Sequence, residues 1–224
     1  MKIIGHIETD FETKFGLPRQ SGLCDELKGK IVFKPEYSMR EAFRGLDGFS
    51  HIWVIWNFSL TERDGFSPTV RPPRLGGKKR VGVFATRSPY RPNPIGLSCV
   101  KLEKTDYEKG KGTVLYVSGI DMANGTPIYD IKPYLPIADL KPDATEGFTG
   151  QTALHRLNVF FSPCLPPISD EMKKAITEFI ENDPRPAYDK DENRIYGSSF
   201  KGFDIRFTVK ENEATVTEII PLNR

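Results

Sequence analysis

Cysteine is scarce in this chain of 224 residues: Cys24, Cys99 and Cys164 stand far apart, odd in number and in no C-x-x-C spacing. That pattern supports neither a zinc site nor a disulfide framework, and no metal is expected. Long apolar runs are also missing. The opening MKIIGHIETDFETKFG has no signal-peptide core, and no segment is apolar over the length a bilayer requires, so the chain is expected to be cytoplasmic. No Walker-type loop, HExxH or GxSxG occurs, and the lone GKG at 110–112 lacks the third glycine of a dinucleotide fingerprint. The common nucleotide-binding and hydrolase routes are thereby closed. The most localised absence is of acid. From Gly65 to Leu102 there is neither Asp nor Glu, while Arg71, Arg74, Lys78, Lys79, Arg80, Arg87, Arg91 and Lys101 supply eight cations. The net charge of the whole chain is only +2, so the remainder is net acidic and the positive field is local. A local field of this kind points to an anionic partner at one place.

Short runs rich in Ile, Val, Phe, Trp and Tyr fill the first 135 residues: KIIGHIET, KIVF, HIWVIWNF, RVGVFAT, IGLSCVKL and GTVLYVSGID, separated by turn residues. GLSCVKL and TVLYVSG alternate as half-buried strands do, and the nearly continuous HIWVIWNF reads as a central strand buried on both faces. Ser38 followed by Glu41 reads as the capping box of a helix in SMREAFRGL. The fold class that follows is mainly β, an antiparallel sheet curled into a barrel. A polar stretch after residue 140 reads as a linker. Beyond it, SDEMKKAITEFIEND predicts an amphipathic helix with Met172, Ile176, Phe179 and Ile180 on one face, and FDIRFTV and ATVTEII a hairpin. The expected organisation is a barrel domain over 1–140, a linker over 141–164 and a small α+β domain over 165–224. A domain of that size is marginal alone and should rest on the barrel or on a second subunit.

Four stretches could carry chemistry. PRQSG at 18–22 offers the polar groups of Gln20 and Ser21 beside Gly22, or it is an ordinary polar turn. SPTVRPPRLGGKKR at 67–80 arrays Arg71, Arg74, Lys78, Lys79 and Arg80 as a phosphate-backbone binder would, or it is a solvated loop. In ATRSPYRPNPIGLS, prolines 89, 92 and 94 stiffen a loop that aims Arg87, Tyr90 and Arg91. These arginines suit a carboxylate or phosphate and Tyr90 a stacked base, unless the arginines merely cap carbonyls. In SGIDMANGTPIYDIKPYLP, Asp121 ends a strand and Asp130, Lys132 and Tyr134 alternate onto one face. A carboxylate, an ammonium and a phenol there form a general-base constellation or a plain ion pair at a barrel rim. A catalytic enzyme and a non-catalytic RNA-binding barrel are both compatible with these stretches.

PRQSG, FSHIWVIW, RPPRLGG, GVFATRSPYRPNPIG and NGTPIYDIKPYLP, in that order, resemble the TsaA-like family of tRNA methyltransferases over most of residues 1–136. DPRPAY at 183–188 and the closing FDIRFTV hairpin resemble that family's C-terminal domain. The resemblance implies a single-sheeted barrel, S-adenosyl-L-methionine as cofactor, a homodimer, and methylation of N6 in N6-threonylcarbamoyladenosine beside the anticodon of a tRNA. Cofactor contacts implied by it fall on Gln20, Ser21, Gly22, Arg87, Leu97, Ser118, Gly119, Ile120 and Asp121. Two more fall on Ser59 and Leu60, where family members have His and Gln, so an imidazole and an amide are lost there and backbone contacts remain. Asp130 is the candidate base for N6, with Lys132 and Tyr134 orienting it. The cations Arg71, Arg74, Lys78, Lys79, Arg80 and Arg91, with Tyr90, are the candidate tRNA contacts.

Overall fold

A computed structural model of the chain describes residues 1–61, 66–72, 75, 79–151, 156–185 and 191–222. The strands are β1 (Gly5–Thr9), β2 (Lys28–Phe33), β3 (His51–Asn57), β4 (Thr69–Val70), β5 (Val81–Gly82), β6 (Ile95–Glu108), β7 (Gly112–Ser118) and β8 (Pro127–Pro133). After them come the one-turn helix α1 (Pro136–Asp139), strand β9 (Asn158–Phe161), helix α2 (Asp170–Glu181), and strands β10 (Tyr196–Phe200), β11 (Phe203–Lys210) and β12 (Glu213–Pro221). Six strands close into a barrel in the order β1-β2-β7-β6-β3-β8, each pair antiparallel. Closure leaves the barrel no free sheet edge except where a pair parts early.

The alternation read in β6 and β7 is that of a half-buried wall: Gly96, Ser98, Val100 and Leu102 point inward, and Ile95, Leu97, Cys99 and Lys101 outward. Two expectations need correcting. HIWVIWNF is not buried on both faces. Ile52, Val54 and Trp56 line the interior, while Trp53 and Ile55 are only half-covered on the outside and His51 is exposed. Trp53 is partly covered by the chain after β8, where the Asp139 carboxylate accepts from its indole at 3.0 Å and from the Leu135 amide at 2.8 Å. SMREAFRGL is not an α-helix but a series of 3-10 turns, Pro35–Tyr37, Arg40–Phe43 and Leu46–Gly48. Ser38 caps nothing there, because its hydroxyl turns back to the Pro35 carbonyl at 3.1 Å. Gly45, at φ 87°, then breaks the helical path one turn later.

In the C-terminal half, Ser169 accepts from the Met172 amide at 3.2 Å and starts α2, whose Met172, Ile176, Phe179 and Ile180 are buried as their spacing requires. The hairpin β11–β12 forms, and β10 and β9 extend it to the order β10-β11-β12-β9, with β9 parallel to β12. Strand β9 thus comes out of the stretch read as linker.

One apolar core serves both halves. The segment joining β1 to β2 lies between them. Phe11, 1% exposed, meets Phe179 edge-on at 5.9 Å and Phe200 at 5.0 Å. The Cys24 thiol donates to the Glu178 carbonyl at 3.3 Å, and the Glu26 amide donates to the Glu178 carboxylate at 2.9 Å. A side chain at Gly16 would strike the Ser198 hydroxyl at 2.1 Å, which shows how closely this segment lies on β10. Phe11→Ala should therefore destabilise the whole molecule, by about 3–5 kcal/mol, the range for a buried aromatic truncated in a core. Both tryptophans, Trp53 and Trp56, report on the barrel. Their fluorescence and the far-UV circular dichroism of the mutant should lose structure at one lowered denaturant midpoint. Two separated transitions would show that the halves do not share this core.

Candidate cofactor and RNA site

β6 and β7 remain paired from Glu108↔Gly112 to Lys101↔Ser118 and then part. Beyond that point the β6 residues 95–100 keep β3 on one side, while the chain leaving β7 turns away at Gly119, φ 73°. The opened edge is occupied by PRQSG. The Cys99 amide donates to the Ser21 hydroxyl at 3.1 Å, and the Gly22 amide donates to the Gly119 carbonyl at 2.8 Å. Gly22 sits at φ 74°, where a side chain would be strained. In an antiparallel strand the backbone groups of alternate residues face the same side, so the peptide groups of Leu97 face this edge together with those of Cys99. A cleft of about 620 Å³ lies here, with Gly22, His51, Cys99, Lys101, Ser118 and Gly119 among its walls.

Arg87 and Asp121 are not among those walls but join the same loop from other elements. The exposed Arg87 guanidinium donates to the Gln20 side-chain oxygen. The Asp121 carboxylate accepts from the Ser98 hydroxyl at 2.6 Å and from the Ser21 amide. Burial pushes Asp121 up from an ordinary 3.8 to about 6, against the opposing pull of Ser98, of the Ser21 amide and of the Arg87 charge. Gln20, Ser21, Gly22, Arg87, Leu97, Ser118, Gly119 and Asp121 are therefore brought together by the fold, with Ile120 fully buried beneath them. Ser59 and Leu60 lie on the 3-10 turn Ser59–Thr61 after β3, Leu60 being 51% exposed. Among the described residues no hydrogen bond or ion pair links them to Asp121 or Arg87.

Asp130 and Lys132 share the outer face of β8, and Tyr134, just past its end, continues that row as the alternation requires. The Lys132 ammonium pairs with Asp130 at 2.9 Å, and the Asp130 carboxylate also accepts from the Ile131 amide at 2.9 Å. The Tyr134 ring lies 5.8 Å from Trp53 and 6.3 Å from His51. Register sets the distance to the opened edge of β6: Leu97 pairs with Ile55, which pairs with Asp130. Two strand spacings, about 10 Å, separate Leu97 from Asp130 across β3.

The stiff loop is held by its own side chains. Thr86 donates to the Val83 carbonyl at 2.8 Å and accepts from the Ser88 amide, and the Ser88 hydroxyl accepts from the Tyr90 amide at 3.3 Å. Arg91 takes the alternative role left open in the sequence. Its guanidinium caps the carbonyls of Thr86 at 2.7 Å and Val83 at 3.3 Å, so it braces the loop. Arg71 and Lys79 are exposed; Arg80 is exposed too but donates to the Thr69 hydroxyl at 3.0 Å. Tyr90 is half-buried. Arg74 and Lys78 lie outside the described residues. The sequence reading passed over Ser98 and Trp56. The available signal was a serine in the inward, otherwise apolar phase of GLSCVKL.

The tRNA-methyltransferase O N-terminal domain family matches residues 6–140, and the TrmO C-terminal domain family matches residues 164–222. The chain belongs to the tRNA-methyltransferase O family. Among curated relatives, the tRNA (adenine(37)-N6)-methyltransferase of Escherichia coli K12 is 39% identical over 217 residues, covering 93% of this chain and 92% of that protein. A probable S-adenosyl-L-methionine-binding protein of Pyrococcus abyssi is 35% identical over 154 residues, 69% of this chain and 77% of that one. A crystal structure of TrmO from P. aeruginosa superposes with a TM-score of 0.79 at 30% identity, over 98% of this chain and 95% of that one. Among the described residues no helix is long and apolar enough to cross a membrane, and no cluster of His, Cys, Asp or Glu could hold a metal ion.

The site has a measurable electrostatic signature. A carboxylate raised on folding binds its proton more tightly in the folded than in the unfolded chain. Its stabilising contribution is thus complete below pH 3.8 and is lost as pH rises through about 6. Carbon-detected NMR of the ligand-free protein should show the Asp121 carboxyl titrating near pH 6. Asp121→Asn should remove the part of the stability decline that falls between pH 4 and 6. A carboxyl titrating near 3.8 would mean that Asp121 is open to water.

Proposed function

We infer that this chain is an S-adenosylmethionine-dependent tRNA methyltransferase acting on N6 of adenine 37, and that its substrate nucleoside is N6-threonylcarbamoyladenosine. The observation that carries the reading is the convergence of Gln20–Gly22, Arg87 and Asp121 at the opened edge of β6, in a chain that matches its family over both domains. The donor set fits the cofactor. A guanidinium suits its carboxylate, an acidic side chain suits its amine or a ribose hydroxyl, and the peptide edge at Leu97 and Cys99 can take further hydrogen bonds. When bound, the cofactor supplies a methyl group on a sulfonium for in-line transfer to nitrogen.

The protein's part is to hold and to deprotonate. Arg87 and Asp121 hold the donor end in place, and such positioning accounts for much of the acceleration in a displacement reaction. The acceptor N6 lies between a purine ring and a carbonyl, which drain its lone pair. Asp130 receives its proton, while Lys132 pairs with that carboxylate and orients it and Tyr134 borders it. Because Asp130 stands across β3 from the cofactor edge, the target base enters over the outer face of β3. Arg71, Lys79 and Arg80 meet the tRNA phosphates. A homodimer belongs to this reading. Leu97, 52% exposed, Phe84, 69% exposed, and Phe66, 50% exposed, leave apolar surface around the site for a second copy to cover. The enzyme works in the cytoplasm, where its tRNA substrate is.

Mass spectrometry of tRNA nucleosides from cells with and without the gene should show the N6-methylated threonylcarbamoyl nucleoside only when the gene is present. Its persistence in the deletion strain would remove the assignment. Arg87→Ala should weaken S-adenosylmethionine binding by about 1.5–3 kcal/mol in calorimetry, the range for a charged hydrogen bond. An unchanged dissociation constant would place the carboxylate elsewhere. In single-turnover transfer, Asp130→Asn should slow the chemical step about 10²–10⁴-fold with tRNA and cofactor affinities retained. A variant within a few-fold of wild type would leave catalysis to positioning, and one that loses cofactor affinity would move Asp130 into the binding site.

A further inference from the structure

Behind Asp121 lies a hydrogen-bonded chain that reaches into the barrel. The Trp56 indole, 6% exposed, donates to the Ser98 hydroxyl at 2.9 Å. Ser98, 1% exposed, donates in turn to the Asp121 carboxylate at 2.6 Å. We propose that Ser98 is a positioning residue for the cofactor site, locked by Trp56 into donating to Asp121 and so keeping that carboxylate an acceptor. The proposal rests on the reading of Asp121 as a cofactor contact.

The direction of the chain is fixed by chemistry. An indole N–H can only donate, so the Ser98 oxygen must accept from it. The single hydroxyl proton of Ser98 is then left for Asp121. If Asp121 were protonated and donated to Ser98 instead, that hydroxyl proton would lose its acceptor inside the barrel, and a buried orphan is costly. The chain thus favours the charged carboxylate against the burial that disfavours it. The groups facing Asp121 are the Ser98 hydroxyl from β6, the Ser21 amide and its own amide, and the Arg87 guanidinium, which also favours the anion.

Gly96 makes room for the arrangement. It pairs with Trp56 across β3 and β6, and a β-carbon there would come within 2.2–2.5 Å of the indole ring. The indole lies over the bare backbone of Gly96 and so reaches Ser98, two residues further along the same inward row. PIGLS in the sequence therefore has a reason for both its glycine and its serine.

The test is S-adenosylmethionine affinity by calorimetry between pH 5.5 and 8.5, together with the Asp121 carboxyl titration in the ligand-free protein. Wild type should lose affinity as pH falls through about 6, where Asp121 takes up its proton. Ser98→Ala should move both that midpoint and the carboxyl titration upward by about one pH unit. It should then bind about threefold more weakly near pH 6.5, approach a tenfold deficit toward pH 5.5, and converge on wild type at the alkaline end. Ser98→Thr, which keeps the hydroxyl, should restore the wild-type profile, and Trp56→Phe should shift it in the direction of Ser98→Ala. An Ser98→Ala profile parallel to wild type but lower at every pH would overturn the proposal, because that is the mark of a packing defect. So would an unmoved carboxyl titration. Asp121→Asn separates the proposal from the reading beneath it. Wild-type affinity in that variant would remove Asp121 from the cofactor, whereas the ligand-free titration of Ser98→Ala still reports on the chain itself.

Discussion

The early parting of β6 from β7 is the constraint on which the rest of the molecule depends. A closed barrel satisfies every strand, and this one leaves a short length of β6 with backbone groups facing outward from the ladder. Those groups require partners, and the PRQSG loop supplies some of them through Ser21. The same parting lets the chain after Ser118 turn inward, which carries Asp121 to the inner face of β6 instead of continuing the sheet. A cleft, a loop clamp and a half-buried carboxylate therefore arise from one departure from regular pairing.

The clamp is braced from behind. Arg19, next to Gln20, donates to the carbonyls of Asp183 at 3.1 Å and Arg185 at 2.9 Å, so the loop is anchored in the C-terminal half. On its other side Arg87 reaches Gln20 from a segment held by three prolines and a run of hydroxyl turns. The cationic stretch is thus partly structural. Arg91 is spent on carbonyls and Arg80 leans on Thr69, while Arg71 and Lys79 remain outward.

Much of this was legible in the sequence, and the limits have physical causes. Alternation identified β6 and β7 because one barrel face is dry and the other wet. It misjudged β3 because the outward Trp53 and Ile55 are themselves apolar and half-covered, which makes an outer face look like an interior. Ser38 and Glu41 have capping-box spacing, but Pro35 offered the serine a nearer carbonyl and the helix never formed. Strand β9 could not be read locally, since four residues pairing in parallel with β12 depend on a partner more than fifty residues away. Gln20, Arg87 and Asp121 stood out locally as polar groups in stiff or strand-ending stretches, but only the resemblance attaches a cofactor role to them. Ser98 was missed because a single serine in an apolar row signals little until its two partners are known.

The shared core also bears on how the chain can be divided. Residues 141–146, between the barrel and the C-terminal half, are all exposed. Phe11 and Cys24, both sequence-proximal to the barrel, are meanwhile in contact with α2, and Phe11 with β10 as well. Covalent continuity at 141–146 therefore contributes little to the association of the halves. Two fragments divided there, produced together, should find each other and rebuild the folded molecule, with the PRQSG loop restored only upon their union.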